Sequence, residues 1–345
     1  MNNLFLLSPL WLLWTLGFFC AYLSTRYLVR YALNHQLLDH PNERSSHKLP
    51  TPRGGGLAIV STFIVLLVVL TAVNYISVRD MLAFVGAGAL VAAIGWWDDR
   101  HQVSIKIRLA VHFLAAVWAM YWLGIIDEYT GLPAIVQVSL AIVTLIYLVW
   151  MLNLYNFMDG INGIASVQVI TGGIAFTLVA SVIGAADKSS VIALALVIPT
   201  LGFLRWNFPR ARIFMGDVGS ATLGLMLGLL SLHAGLLKPE LFWSWLILLG
   251  VFIVDASYTL MIRILRKEKF YEAHCSHAYQ QAARRFNSHV PVTLGCALIN
   301  IVWLMPVALL VALEILSPLT GILLAYLPLV LLVIYFRAGQ SEPSE

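Results

Sequence analysis

Eleven apolar runs of roughly helix-spanning length constrain this chain more than any other feature of its sequence. They cover residues 4–29, 54–74, 81–97, 107–125, 133–152, 163–184, 191–204, 220–236, 241–265, 292–313 and 316–336. About 20 apolar residues in helical form cross a bilayer core. In lipid, only helices and closed barrels pair all their backbone polar groups. The runs are continuous rather than alternating, which excludes a barrel. The expected fold is therefore all-α: a polytopic integral membrane protein of about eleven transmembrane helices, forming one domain over residues 1–345. Composition agrees, because only 11% of residues are charged, against about 25% in soluble domains. The runs at 191–204 and 220–236 are short for a full crossing.

Lys and Arg set the expected orientation. With an odd number of spans the loops alternate, and eighteen of the 21 basic residues fall in one set and three in the other (Arg79, Lys188 and Lys238). The positive-inside rule then places the N-terminus outside and the C-terminus in the cytoplasm. Losing or adding one span would scramble this bias. Met1-Asn2-Asn3 lacks a basic leader region, so the first run reads as a retained helix rather than a cleaved signal. The three cysteines, Cys20, Cys275 and Cys296, have no metal-site spacing.

The basic loops also carry the polar chemistry. Asn153 to Gly163 reads NLYNFMDGING, with one carboxylate, three carboxamides and two glycines between two apolar runs. Such a turn at a membrane edge is costly unless it lines a cavity or a site. A first loop, RSSHKLPTPRGGG, offers Lys48 and Arg53 as cations, and three glycines whose amides could approach an anion. Its plain alternative is a basic segment on acidic lipid. A second loop ends a helix with Asp98-Asp99. Adjacent carboxylates need a cation or a proton to relieve their repulsion, and the plain alternative is a solvated helix end with Arg100 as counter-ion. A fourth, RWNFPRARIFMGDVGS, puts Asp217 just before a helix N-terminus, as a Mg²⁺ and phosphate corner or as a cap. A fifth loop, 268–289, holds His274 and His277, three residues apart on one face if helical. Asp255, inside an apolar run, needs a partner, and Arg263 lies two turns on. Acids, cations and glycine-rich turns on one face suit Mg²⁺-assisted phosphoryl chemistry. The acids alone also suit an ion-coupled secondary transporter.

Taken together, PTPRGGG (50–56), Asp98-Asp99, NLYNFMDGINGIA (153–165), FLRWNFPRARIFMGDVGS (203–220) and AHCSHAYQ (273–280) resemble one family. It is the polyprenyl-phosphate N-acetylhexosamine-1-phosphate transferases, which include the phospho-MurNAc-pentapeptide translocases. The last motif is most similar to the branch that starts O-antigen synthesis. The resemblance implies transfer of an N-acetylamino-sugar 1-phosphate from a UDP-sugar to undecaprenyl phosphate, releasing UMP, at the cytoplasmic face of a bacterial inner membrane. It implies Asp217 as the Mg²⁺ ligand (with Mn²⁺ as the alternative ion), and Asp98, Asp99 and Asp159 as the catalytic acidic centre, Asp98 next to the lipid phosphate. Lys48, Arg53, Asn156 and Asn207 would hold nucleotide or diphosphate, and His274 and His277 the sugar nucleotide. The expected partners are a UDP-N-acetylamino sugar, undecaprenyl phosphate and the bilayer, not nucleic acid; a homodimer stays open. Two departures stand out. Many relatives have DGxDG where this chain has Asn162, and Asn162 receives no metal or base role. The triple histidine of the translocase branch is interrupted by Cys275-Ser276, which argues against a MurNAc-pentapeptide substrate. Sister transferases of peptidoglycan or teichoic acid synthesis remain the nearest rivals.

Overall fold

Each apolar run becomes helix, because a lipid-facing backbone has no other way to pair its own polar groups. The computed structural model describes residues 10–39, 41, 49–101, 103–268 and 275–340. In chain order the helices are α1 (Trp11–Asn34), α2 (Gly56–Ala72), α3 (Val78–His101), α4 (Ile105–Leu123), α5 (Ala134–Met158), α6 (Ile164–Val182) and α7 (Lys188–Asn207). Then follow α8 (Asp217–Leu237), α9 (Pro239–Leu248), α10 (Gly250–Leu265), α11 (Ala278–Arg285), α12 (Val290–Ile299), α13 (Met305–Ala312) and α14 (Pro318–Tyr335). Among the described residues, nine helices are long and apolar enough to cross a membrane, counting Val290–Ala312 as one. The remaining two expected spans are α2, at 17 residues, and the pair α9–α10, bent by 69°. The protein is a multi-pass membrane protein. Exposed Leu, Ile and Val on α1, α4, α5 and α14 form lipid-facing surface.

Two spans are less regular than their sequence implies. The bend between α9 and α10 frees the Leu248 carbonyl, which accepts from Gln168 Nε2 at 2.9 Å. Gln168 Oε1 in turn accepts from Asn300 Nδ2 at 3.0 Å, where residues Asn300–Leu304 run as π-helix between α12 and α13. A buried amide thus supplies what the broken helix lacks. The short strands β1 (Leu38–Asp39) and β2 (Thr51–Pro52), paired antiparallel, are unheralded by the apolar pattern.

Helix α8 is the central post. It is buried from Val218 through Ser231 and packs against α5, α3, α2 and α9. Small residues allow this, since membrane helices approach closest where side chains are absent. A Cβ on Gly56 of α2 would lie 2.3 Å from the Cα of Gly219 in α8. A Cβ on Gly95 of α3 would lie 2.7 Å from the backbone of Asp217 and Val218. Three helices therefore converge at the end of the bundle that carries the acids.

Candidate active site

Glycine also shapes the loop before α8. Gly216 adopts φ +75°, and a Cβ there would sit 2.5 Å from an Asp99 oxygen. The vacant space admits the Asp99 carboxylate, which accepts from the Asp217 amide at 3.0 Å and the Val218 amide at 3.4 Å. Asp99, near the end of α3, thus caps the N-terminus of α8, where helix polarity favours an anion. Its neighbour Asp98 accepts from the Val103 amide at 2.7 Å and so closes the α3–α4 turn.

Two arginines separate the carboxylates. Arg53, placed by β2, bonds Asp99 through Nε at 2.9 Å and Asp217 through Nη2 at 2.8 Å. Arg108, in the first turn of α4, sets one nitrogen, Nη1, between Asp98 and Asp217, with Asp217 at 3.1 Å. Arg100 is not the counter-ion of this pair; its guanidinium stacks 3.8 Å over Trp96. Asn156, near the end of α5, points Nδ2 toward Asp217 at 3.5 Å and accepts from Ser220. Asp159, the residue after α5, lies within electrostatic reach of Asp217, Arg53 and Asp99. Burial first, and the Asp217 charge second, push its carboxyl up to about 8 against the pull of Arg53. Asp98, Asp99, Asp159, Asp217, Arg53 and Asn156 are thus brought together.

Lys48 and His274 lie outside the described residues. Asn207 is buried, with Oδ1 accepting from the Gly163 amide at 2.7 Å and Nδ2 donating to the Ile213 carbonyl at 2.9 Å. It ties the third loop to the fourth. Asn162 works alongside it, donating to the Pro209 carbonyl at 3.1 Å while its own carbonyl accepts from Thr293 at 2.8 Å. The glycine loop differs too. The amides of Gly55 and Gly56 donate to the carbonyls of Phe214 and Met215, at 2.9 and 2.8 Å, so they are not aimed at an anion.

His277 is 3% exposed and precedes α11, with Nδ1 3.3 Å from Asp255. Asp255 also accepts from the amides of Ala278 and Tyr279, each at 2.9 Å. The intramembrane acid therefore caps α11, while Arg263 bonds Glu268 through Nε at 2.9 Å. Tyr279 carries the linkage onward, donating to the Phe157 carbonyl at 3.0 Å beside Asp159. Sequence reasoning missed Arg108, Ser220 and Tyr279. Each matters only through a partner that the helix packing supplies.

Beyond Arg108 a largely apolar cleft of about 370 Å³ opens between α3, α4, α5 and α8, and Asp217 and Asn156 stand at its polar end. Among the described residues no three His, Cys, Asp or Glu side chains form a ready-made metal cage. Mg²⁺ does not require one, since it is usually held by one or two carboxylates, waters and substrate phosphates. Asp98 and Asp217 fit that demand, because a cationic nitrogen of Arg108 already sits between their oxygens.

Known proteins are similar to this chain. The family described as "Glycosyl transferase family 4" matches residues 81–235, which hold Asp98, Asp99, Asp159 and Asp217. A probable undecaprenyl-phosphate N-acetylglucosaminyl 1-phosphate transferase of Bacillus subtilis is 30% identical over 285 residues, covering 79% of this chain and 77% of the relative. The decaprenyl-phosphate N-acetylglucosaminephosphotransferase of Mycolicibacterium smegmatis is 32% identical, over 71% and 68%. The phospho-N-acetylmuramoyl-pentapeptide-transferase of Streptococcus pneumoniae serotype 2 is 31% identical, over 62% and 67%. The chain belongs to glycosyl transferase family 4, the family of these polyprenyl-phosphate phosphosugar transferases.

Proposed function

We propose that this protein transfers an N-acetylamino-sugar 1-phosphate from a UDP-sugar to undecaprenyl phosphate, at the cytoplasmic face of a bacterial inner membrane. An oxygen of the lipid phosphate attacks the β-phosphorus of the UDP-sugar. The bond from that phosphorus to the bridging oxygen breaks, and UMP leaves. The observation that carries this reading is the meeting of four carboxylates and two arginines, of which Asp217 and Arg108 line the polar end of an apolar cleft. The cleft suits a hydrocarbon chain, and its polar end suits a diphosphate.

Asp217 with Asp98 would hold a Mg²⁺ ion, which would supply positive charge beside a diphosphate. Arg53 and Arg108 orient phosphate oxygens once released from the carboxylates. Asn156 orients the Asp217 carboxylate, and Asp99 fixes the start of α8. No strong base is required, because a phosphate monoester is already largely ionised at neutral pH. The excess of Lys and Arg on this end of the bundle supports the cytoplasmic orientation. The AHCSHAYQ motif supports the O-antigen branch as the place of the product. N-acetylglucosamine, in the names of two relatives, is the first sugar to try.

The transporter alternative loses its main support, since Asp255 is committed to capping α11. The test uses purified protein, undecaprenyl phosphate, Mg²⁺ and a panel of UDP-N-acetylamino sugars. UMP with a lipid-diphosphate-sugar is expected, and Asp217→Asn should lower kcat by about a hundredfold or more. Release of UDP, or full turnover by a folded Asp217→Asn variant, would sink this reading.

A further inference from the structure

The wall that α4 presents to the cleft carries two buried nitrogens without a partner among the described residues: Nε of Arg108 and Nδ1 of His112. His112 is only 7% exposed. Its neighbours along the cleft include Leu109, Phe113, Val149 and Trp150, none of which answers an imidazole. Leaving a buried polar group unsatisfied costs about 1–3 kcal/mol. Within a membrane span such a group marks a site where a ligand completes it.

Spacing defines what that ligand can be. Arg108 and His112 are four residues apart on α4, so they share a face, about 6 Å apart along the axis. Arg108 reaches the acid centre, and His112 sits one turn further from it. The cleft is thus graded from carboxylates, through a guanidinium and an imidazole, to plain hydrocarbon. An amphiphile with one anionic, acceptor-rich head and an apolar tail matches that order; a nucleotide, polar throughout, does not.

We infer that His112, together with Arg108, binds the phosphate head of the acceptor lipid, with His112 on the side of the head nearer the tail. This deepens the transferase reading and rests on it. His112 thereby sets affinity for the lipid and leaves the UDP-sugar untouched.

Two variants test this: His112→Leu, which removes the donor, and His112→Gln, which keeps one. For His112→Leu the KM for undecaprenyl phosphate should rise about tenfold or more, as for loss of a hydrogen bond to a charged group. The KM for the UDP-sugar should stay within about twofold, and His112→Gln should recover most of the difference. Thermal shifts give a second readout. Undecaprenyl phosphate should raise the Tm of His112→Leu less than that of wild type, whereas undecaprenol should act equally on both. Without lipid, His112→Leu should be at least as stable as wild type, because an apolar side chain replaces an unpartnered polar one.

An unchanged lipid KM, equal rises in both KM values, a glutamine variant no better than leucine, or a drop in unliganded Tm would each overturn the assignment. If wild type releases no UMP with any sugar, the transferase reading fails. The lipid-phosphate and undecaprenol shifts then decide His112 alone.

Discussion

Gly95 is where the packing of the bundle and the chemistry of the site can be separated by one methyl group. It lies in α3, one turn before Asp99, against the first residues of α8. A Cβ added there would stand 2.7 Å from Asp217 C and Val218 N, and 2.8 Å from Asp217 O. Carbon contacts are comfortable at about 3.5–4.0 Å. The helices must therefore part by roughly 1 Å, since all three obstructing atoms are backbone and no rotamer relieves them. Overpacking of this kind costs about 1–3 kcal/mol. The displacement falls on the bond from the Asp217 amide to Asp99, now 3.0 Å, and carries it past hydrogen-bond range.

Gly95→Ala should therefore lower Tm by several degrees and lower kcat by about a hundredfold, the usual consequence of a 1 Å misplacement in a reacting constellation. The matched control is Gly295→Ala in α12, where a Cβ meets nothing within 4 Å. That change should leave turnover intact and stabilise by about 0.5–1 kcal/mol through helix propensity. Both are read by UMP release and by thermal unfolding in detergent. Gly95→Ala with wild-type Tm and kcat within about threefold would show that α3 and α8 do not meet as described.

Asp159 gives a pH signature. Its folded-state value of about 8 exceeds the ordinary 3.8, so between these the folded chain holds a proton that the unfolded chain has lost. Metal-free stability should then fall as pH rises from about 4 to about 8, and Asp159→Asn should flatten that slope in a Tm series with chelator. A slope unchanged by the substitution would refute the burial argument. Tyr279→Phe removes the bond to the Phe157 carbonyl; it should cost about 1 kcal/mol and reduce kcat more than either KM. Asn207→Ala orphans the Gly163 amide and the Ile213 carbonyl. Its effect should be a lowered Tm with unchanged KM for the UDP-sugar in the surviving fraction, and a selective rise in that KM would restore Asn207 to the substrate.

What could be read in advance divides along physical lines. Spans are legible because lipid imposes a rule on every residue of a helix, and even α2, at 17 residues, keeps its place in the order. The break at Leu249 is invisible because its compensation, Gln168, lies some eighty residues away. The acids are legible because carboxylates at span ends are few. Their counter-ions are not: Arg108 is one basic residue among many until the α3–α4 turn folds it back onto Asp98. Residue type is also a poor guide where side chains serve the backbone. Asn207 has the right chemistry for a nucleotide, yet a loop amide and a loop carbonyl reach it first. Asp255 resembles an ion-coupling acid until α11 is seen to start on it.

The charge balance of the site explains why it needs both its arginines and its substrates. Asp98, Asp99, Asp159 and Asp217 face Arg53 and Arg108. If all four carboxylates were ionised, two negative charges would remain in a place with little water. The proton kept by Asp159 removes one of them. What remains repels a phosphate but attracts a divalent cation. A divalent cation held there by Asp217 and Asp98 would remove the electrostatic reason for Arg108 to bridge them, and would reverse the sign of the site. Only then would the polar end of the cleft favour a diphosphate beside a lipid phosphate. Binding should therefore be ordered, with the metal ion raising affinity for both phosphates. Arg108→Gln should weaken that gain rather than the metal affinity itself, because in the metal-free chain the guanidinium occupies the place the ion would take.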